Sequence, residues 1–286
     1  MGEPVTLFEM GPRDGLQNEA APIATADKIA LVNALSESGL SKIEVTSFVS
    51  AKWVPQLSDA AQVMAGLTRV PGISYTALTP NMQGFEAAKN ALADEIAIFG
   101  AASEAFSKAN INCSIEDSLA RFIPMMAAAK AARIPVRGYV SCITDCPYEG
   151  AVSPQRTAWV AQALFDMGCY EISLGDTIGQ ATPERLDKTL RAVLDSVPAS
   201  ALAGHYHDTN QRALENIALS LGHGIRVFDA AVGGLGGCPY APGAKGNVAT
   251  EAVAALMQAQ GFETGLDLIK LEKAAQMAKG LVHETA

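Results

Sequence analysis

Basic residues are few and never run together in this 286-residue chain: 21 Lys and Arg stand against 30 Asp and Glu, a formal charge of −9. No positive field is therefore offered to phosphate backbones or anionic lipid, and neither nucleic acid nor a membrane surface is expected as a partner. Absent too is any apolar run long enough to cross a bilayer. The start, Met1-Gly2-Glu3-Pro4, has an acid where a secretory leader has bases and an apolar stretch, so no leader is expected. Cysteine is sparse and odd in number. Cys113, Cys142, Cys146, Cys169 and Cys238 are scattered, which argues against a disulfide framework and fits a reducing cytoplasm. Cys142 and Cys146 have a zinc-like spacing, yet no second pair follows to complete a structural zinc site. Charged residues reach only 18%, whereas 49% are hydrophobic, enough to fill a substantial core and unlike a disordered chain.

What the chain does have is alternation. Short β-branched segments at Val5–Met10, Lys42–Phe48, Ile73–Thr79, Glu95–Ala101, Val136–Cys142, Tyr170–Asp176, Leu202–Asp208 and Val227–Val232 read as strands. Amphipathic stretches near 26–38, 58–66, 82–93, 114–132, 154–168, 183–197, 211–222 and 250–260 read as the helices between and after them. Ser153-Pro154 and Thr182-Pro183 each place a capping hydroxyl before a proline at the first helical position, where its missing N–H is harmless. Eight strand–helix units with right-handed crossovers predict an α/β fold, a (β/α)8 TIM barrel occupying 1–286 as one domain. An open doubly wound sheet would carry a Gly-rich dinucleotide turn after its first strand; the turn here, Gly11-Pro12-Arg13-Asp14-Gly15, has no such pattern. An additional C-terminal helix is expected over about 266–284, packed on the barrel or on a neighbouring subunit.

In such a barrel the working residues lie where strands end. His205 and His207 flank Tyr206 on the seventh strand, and residues two apart share a face, so both imidazoles are expected inside the barrel mouth. A packed core histidine is the plainer explanation of one such residue. Only four histidines occur in the chain, however, and Asp14 stands ready after the first strand as a hard anionic ligand. Two imidazoles with a carboxylate and an amide oxygen suit Mg2+ or Mn2+ with open positions, zinc remaining an alternative. Gly233-Gly234-Leu235-Gly236-Gly237-Cys238 reads either as a structural turn or as a mobile lid carrying a thiol that handles a proton near a carbanion. Arg13 beside Asp14 reads either as a surface ion pair or as a guanidinium that holds an enolate. Glu44 and Asp176 are expected to point inward and to need partners there. Cys142 and Cys169 read as small packed hydrophobes.

Set in order, Gly11 to Glu19, Thr46 to Ser50, Lys52 to Gln56, Phe106 to Cys113, Arg137 to Cys142, Ser173 to Gly179 and Gly233 to Tyr240 resemble the 3-hydroxy-3-methylglutaryl-CoA lyase family of DRE-TIM-type metallolyase barrels, colinearly over nearly the whole chain. The resemblance implies a metal-dependent carbon–carbon lyase that cleaves (S)-3-hydroxy-3-methylglutaryl-CoA to acetyl-CoA and acetoacetate, as in leucine catabolism. It implies metal ligation by Asp14, His205, His207 and Asn247, with Glu251 behind them. Catalytic roles fall to Arg13 on the enolate, Cys238 in proton transfer and His205 as general base, its proton relayed by Asp176 or a water, with Glu44 in support. Arg13, Gln17, Ser47 and Tyr139 would line the acyl pocket and Asn110 the CoA side. An acyl-CoA is thus the expected partner, in a cytoplasmic homo-oligomer, dimer or higher.

Two departures from the family pattern are visible. Asn210-Gln211 stands where a Tyr-Gly or Gly-Gly pair is usual, a change expected to bear on acyl selectivity, and the chain ends at Ala286 without a cysteine-bearing tail, so redox control through one is not expected. Competing readings are a lyase for citramalyl-CoA or a longer 3-hydroxy-3-alkylglutaryl-CoA, a Claisen-condensing synthase, a biotin-dependent carboxyltransferase, and a barrel that has become a binding module. A synthase usually brings a further domain, a carboxyltransferase needs a lysine at the metal, and a relict barrel should have lost a ligand; none of these signs is present.

Overall fold

Eight parallel strands close on themselves: β1 Thr6–Glu9, β2 Lys42–Ser47, β3 Ser74–Leu78, β4 Glu95–Ala101, β5 Val136–Ser141, β6 Glu171–Asp176, β7 Leu202–Tyr206 and β8 Val227–Ala230. Each pairs with the next in chain order, and β8 returns to β1 with Phe8 opposite Asp229 and Glu9 opposite Ala230. This is the (β/α)8 barrel expected from the strand–helix alternation. The computed structural model describes residues 2–238 and 241–283, and their side chains except those of 237–245 and 283.

Helices α1 Thr25–Ser36, α2 Ala60–Gly66, α3 Met82–Asn90, α4 Glu104–Ile111, α5 Ile115–Ala132, α6 Pro154–Asp166, α7 Pro183–Leu194, α8 Ala213–Gly222, α9 Thr250–Ala259 and α10 Leu268–His283 wrap the barrel. Their apolar stripes bury Leu31, Leu35, Leu164, Leu186, Leu190 and Val253 against the outer faces of the strands. At the start of α6 the Ser153 hydroxyl accepts the Arg156 N–H at 3.2 Å, as its spacing predicts. The Thr182 hydroxyl makes no capping hydrogen bond at α7, which opens on Pro183. Helix α4 was not legible from periodicity. Two turns carry too little pattern, and what makes it a helix is local: the Ser103 hydroxyl accepts the Phe106 N–H at 3.0 Å, and Asn112 ends it in the left-handed region at φ 52°. Helix α10 settles on the barrel's outside, against α1 and the turn at 232–234, burying Leu271, Ala274, Ala275 and Ala278.

The barrel interior holds a buried charge network beside the apolar side chains of Phe8, Met10 and Ala97. Inward positions on β5, β6 and β8 place Arg137, Glu171, Ser173 and Asp229 together, with Arg137 only 1% exposed. Its Nε donates to Glu171 at 2.7 Å, and its two terminal nitrogens grip Asp229 at 2.9 and 2.7 Å. The guanidinium also lies 4.4 Å from the Phe8 ring centroid. Below it, Lys42, Glu95 and Tyr170 form a second polar layer through contacts of 2.6 to 3.1 Å. A buried ion pair of this kind stabilises little against an apolar substitute but is costly to break from one side, because the abandoned charge stays buried. Arg137→Met is therefore expected to lower unfolding stability by about 3–5 kcal/mol in urea melts. A loss below about 1 kcal/mol would show that water replaces the guanidinium without penalty.

Candidate active site

The loop after β1 begins as a tight π-type turn in which the N–H groups of Arg13, Asp14 and Gly15 all converge on the Met10 carbonyl at 3.2, 2.8 and 3.1 Å. Pro12 at its start lacks the N–H that such a turn would orphan. The turn folds Arg13 inward, where it is 6% exposed, and so removes it from the class of surface ion pairs. Its Nε and Nη2 reach Glu44 Oε2 at 2.8 and 2.7 Å, and its Nη1 meets Asp14 Oδ1. Tyr139 completes this corner: its hydroxyl donates to Glu44 Oε2 at 3.0 Å, accepts from Arg137 at 3.0 Å, and its ring faces the Arg13 guanidinium at 5.7 Å. One carboxylate, Glu44, thus orients both the guanidinium and the phenol.

Across the mouth, His205 and His207 share the inner face of β7 and its extension, their ring centroids 5.4 Å apart. Asp14, His205 and His207 each bring one ligand atom within 4.8 Å of the others, the one such group among the described residues. His205 Nε2 lies 3.9 Å from Asp14 Oδ2, too far for a hydrogen bond and near enough to share an ion. Asn247, bridged to His207 across the strand end, donates its amide to Asp14 Oδ2 at 2.8 Å and to the Leu235 carbonyl at 3.2 Å. Burial would raise the Asp14 carboxyl, but Arg13, then His205 and His207, hold it well below the usual carboxylate range. Burial, reinforced by His205 and by Arg13, pushes His207 down to about 4, so it is a neutral imidazole. The donor set fits a divalent cation: an ionised carboxylate, two imidazoles and an adjacent amide converge, and among the described residues His207 Nδ1 is buried with no hydrogen-bond partner.

The glycine-rich stretch packs directly on this corner. Gly233 and Gly234 have φ of 68°, and Gly236 has φ of 97°. A Cβ on Gly236 would stand 2.9 Å from the Asn247 amide nitrogen and 3.3 Å from the Gly15 Cα, so only glycine lets this segment lie against the Asp14 turn. Beyond it Gly237–Cys238 pairs antiparallel with Ala241–Lys245. The Cys238 side chain lies outside the described residues. Glu251 accepts the Gly233 N–H at 2.9 Å from the first turn of α9, tying the stretch to the helix behind it.

Other expected site residues are placed differently from one another. Ser47 is buried at the end of β2, its hydroxyl on the Leu78 carbonyl at 3.3 Å; Gln17 is half-buried after the Asp14 turn; Asn110 is exposed on α4. Asp176 departs from the expectation. Glu171 and Ser173 take the inward positions of β6, so Asp176 does not point inward; its two oxygens accept the N–H groups of Gln180 and Ala181 at 3.1 and 3.0 Å, holding the following loop. Burial lifts its pKa to about 6. The carboxylate that meets His205 is instead Asp229, at 3.1 Å from Nδ1, and burial's upward pull on it is overcome by Arg137 and His205, which hold it at about 2. An acid in the middle of the apolar eighth strand was the one signal that could have revealed it. Asn210 donates to the Gly179 carbonyl at 2.8 Å, linking the loops after β6 and β7, with its side chain at the surface. Cys142 and Cys169 are packed thiols whose burial raises their pKa, the latter to about 12.

The HMGL-like family model matches residues 4–278. The chain belongs to the HMGL-like family. A 3-hydroxy-3-isohexenylglutaryl-CoA/hydroxy-methylglutaryl-CoA lyase of Pseudomonas aeruginosa is 56% identical over 95% of this chain and 91% of its own length. The cytoplasmic 3-hydroxy-3-methylglutaryl-CoA lyase of Mus musculus is 54% identical over 99% of this chain and 82% of its own. Among solved structures, the HMG-CoA lyase of Brucella melitensis superposes with a TM-score of 0.97 at 57% identity, covering 98% of this chain and 99% of that one. The carboxyltransferase domain of Rhizobium etli pyruvate carboxylase, 15% identical with a TM-score of 0.74, shares the fold alone. Membership of the HMGL-like family therefore rests on sequence and architecture together.

Glu9, unnoticed in the sequence, anchors three loops of the site at once. Its carboxylate accepts from the N–H groups of Gly11 at 2.7 Å and Val232 at 2.8 Å and from the Thr250 hydroxyl at 2.7 Å. Burial outweighs these bonds and raises its pKa from 4.5 to about 7. A raised folded-state pKa favours the native protein below the unfolded value and loses that favour as pH rises through the folded one. Against Glu9→Gln, which cannot ionise, the wild-type chain is expected to lose on the order of 3 kcal/mol as pH climbs from about 4.5 to beyond 7, read as the difference in urea stability. A pH-independent difference would contradict the assignment.

Proposed function

We propose that the chain cleaves (S)-3-hydroxy-3-methylglutaryl-CoA to acetyl-CoA and acetoacetate by a divalent-cation-dependent retro-Claisen reaction. The observation that carries this reading is the convergence of Asp14, His205 and His207 opposite the buried Arg13 guanidinium, in a chain of the HMGL-like family. Both relatives named above carry this lyase activity in their names, and a 35% identical HMG-CoA lyase of Acinetobacter baumannii, TM-score 0.92, was solved with coenzyme A and 3-methylmalate. Asp14, His205, His207 and Asn247 would hold the cation, and two imidazoles with a carboxylate and an amide oxygen, without any thiolate, suit Mg2+ or Mn2+. When bound there, a divalent cation supplies Lewis acidity that makes a tertiary hydroxyl easier to deprotonate.

Each remaining role follows from a side chain's surroundings. The hydroxyl proton leaves through a water beside His205, whose ring is backed by the negative charge of Asp229. As the C2–C3 bond breaks, its electron pair passes into the thioester and the carbonyl of acetoacetate forms. Arg13, kept charged and aimed by Glu44, faces the resulting enolate oxygen; preorganised donors of this kind are worth roughly 10²–10³ in rate. Cys238, at the end of the glycine stretch, returns a proton to the enolate carbon. Gln17, Ser47 and Tyr139 line the acyl group, Asn110 contacts the CoA side, and Asp176 and Glu251 hold the loops that carry these groups. No helix among the described residues is long and apolar enough to cross a membrane, and we place the reaction in the cytoplasm, in a homo-oligomer serving leucine breakdown.

Chelator-stripped protein given this thioester should release acetyl-CoA and acetoacetate in equal amounts only after Mg2+ or Mn2+ is added. His207→Ala and Cys238→Ala should abolish turnover, and Arg13→Met should lower kcat roughly 10²–10³-fold. Folded, metal-supplied protein that leaves the thioester intact would overturn the reading.

A further inference from the structure

We propose that Asp229 is a positioning residue for the reaction: it takes the N–H of His205 at Nδ1 and thereby turns the Nε2 lone pair toward the cleft shared by Asp14 and His207. This rests on the metal reading given above. The geometry is specific. Asp229 Oδ2 lies 3.1 Å from His205 Nδ1, and His205 Nε2 faces Asp14 Oδ2 at 3.9 Å. An ionised carboxylate can only accept, so the hydrogen must sit on Nδ1, and a neutral ring is left with its free lone pair on Nε2.

What makes Asp229 more than a neighbour is that it cannot move. It is 2% exposed; Arg137 grips both of its oxygens, and the Ser173 hydroxyl donates to Oδ2 at 2.8 Å. Glu171 holds the far edge of the same guanidinium at 2.7 Å. The imidazole is thus oriented by three strands, β5, β6 and β8, none of which carries a cation ligand. An imidazole that binds a cation needs such a partner on its other nitrogen to set tautomer and ring angle, and loss of the partner typically weakens binding 10–100-fold. Among the described residues nothing comparable holds His207, whose Nδ1 has no hydrogen-bond partner there, so His205 is the ligand with a fixed direction.

Two measurements test this. In metal-free wild-type protein labelled with 15N-histidine, long-range 1H–15N spectra should show His205 with its proton on Nδ1, assigned by comparison with His207→Ala. In Mn2+ titrations followed by electron paramagnetic resonance, Asp229→Asn should raise the Kd roughly 10–100-fold and Ser173→Ala by less than tenfold. The proton on Nε2, or an Asp229→Asn Kd within about twofold of wild type, would overturn the proposal while leaving the metal reading intact. Wild-type protein that binds no Mn2+ would overturn both. Should Asp229→Asn fail to fold, the wild-type spectrum decides alone.

Discussion

A guanidinium buried near the axis of the barrel organises the rest of this molecule. Arg137 touches Glu171, Asp229 and Tyr139, and through the last two it reaches both halves of the site. By way of Asp229 it orients His205; by way of Tyr139 and Glu44 it aligns with Arg13. A single charge in a low-dielectric interior can do this because every partner must remain paired or bear the cost of isolation. The network is built from strands and not loops, so the groups it aims are set before any ligand arrives.

Loops supply what strands cannot. Asp14 and Arg13 come from the β1 turn, Asn247 from the segment before α9, and the glycine stretch lies between them. At Gly236 a Cβ would meet the Asn247 side-chain amide at 2.9 Å and the Gly15 Cα at 3.3 Å, which explains glycine there without invoking mobility. Glu9 holds the roots of the same loops, accepting from Gly11, Val232 and Thr250. Strand-borne and loop-borne groups meet only at the mouth, which is why the chemistry sits at that end.

Much of this was legible from the chain. Eight strands were visible because each is a short apolar run between amphipathic helices, although Met10, Phe48 and Cys142 fall outside them, where the barrel ends in turns. His205 and His207 converge as their spacing of two predicts, with Asp14 beside them. Asp176 stands out of step with the inward residues of β6, Glu171 and Ser173, and alternation alone does not mark which parity faces the axis. Asp229 and Glu9 were missed for a different reason. Their partners lie up to 241 residues away in sequence, and a lone acid in an apolar strand shows that it needs a partner without showing which. Helix α4 depends on a serine cap and a left-handed asparagine, local signals with too little periodicity to stand out.

The account's central claim is that this site breaks a carbon–carbon bond through an enolate and then returns one proton to it. Its most direct test is the reaction run in D2O with added Mg2+, with the acetyl-CoA product analysed by mass spectrometry. One deuterium in the acetyl methyl of each product molecule, formed alongside acetoacetate, is the predicted result. Acetyl-CoA without deuterium, or with the same yield when the cation is withheld, would contradict it.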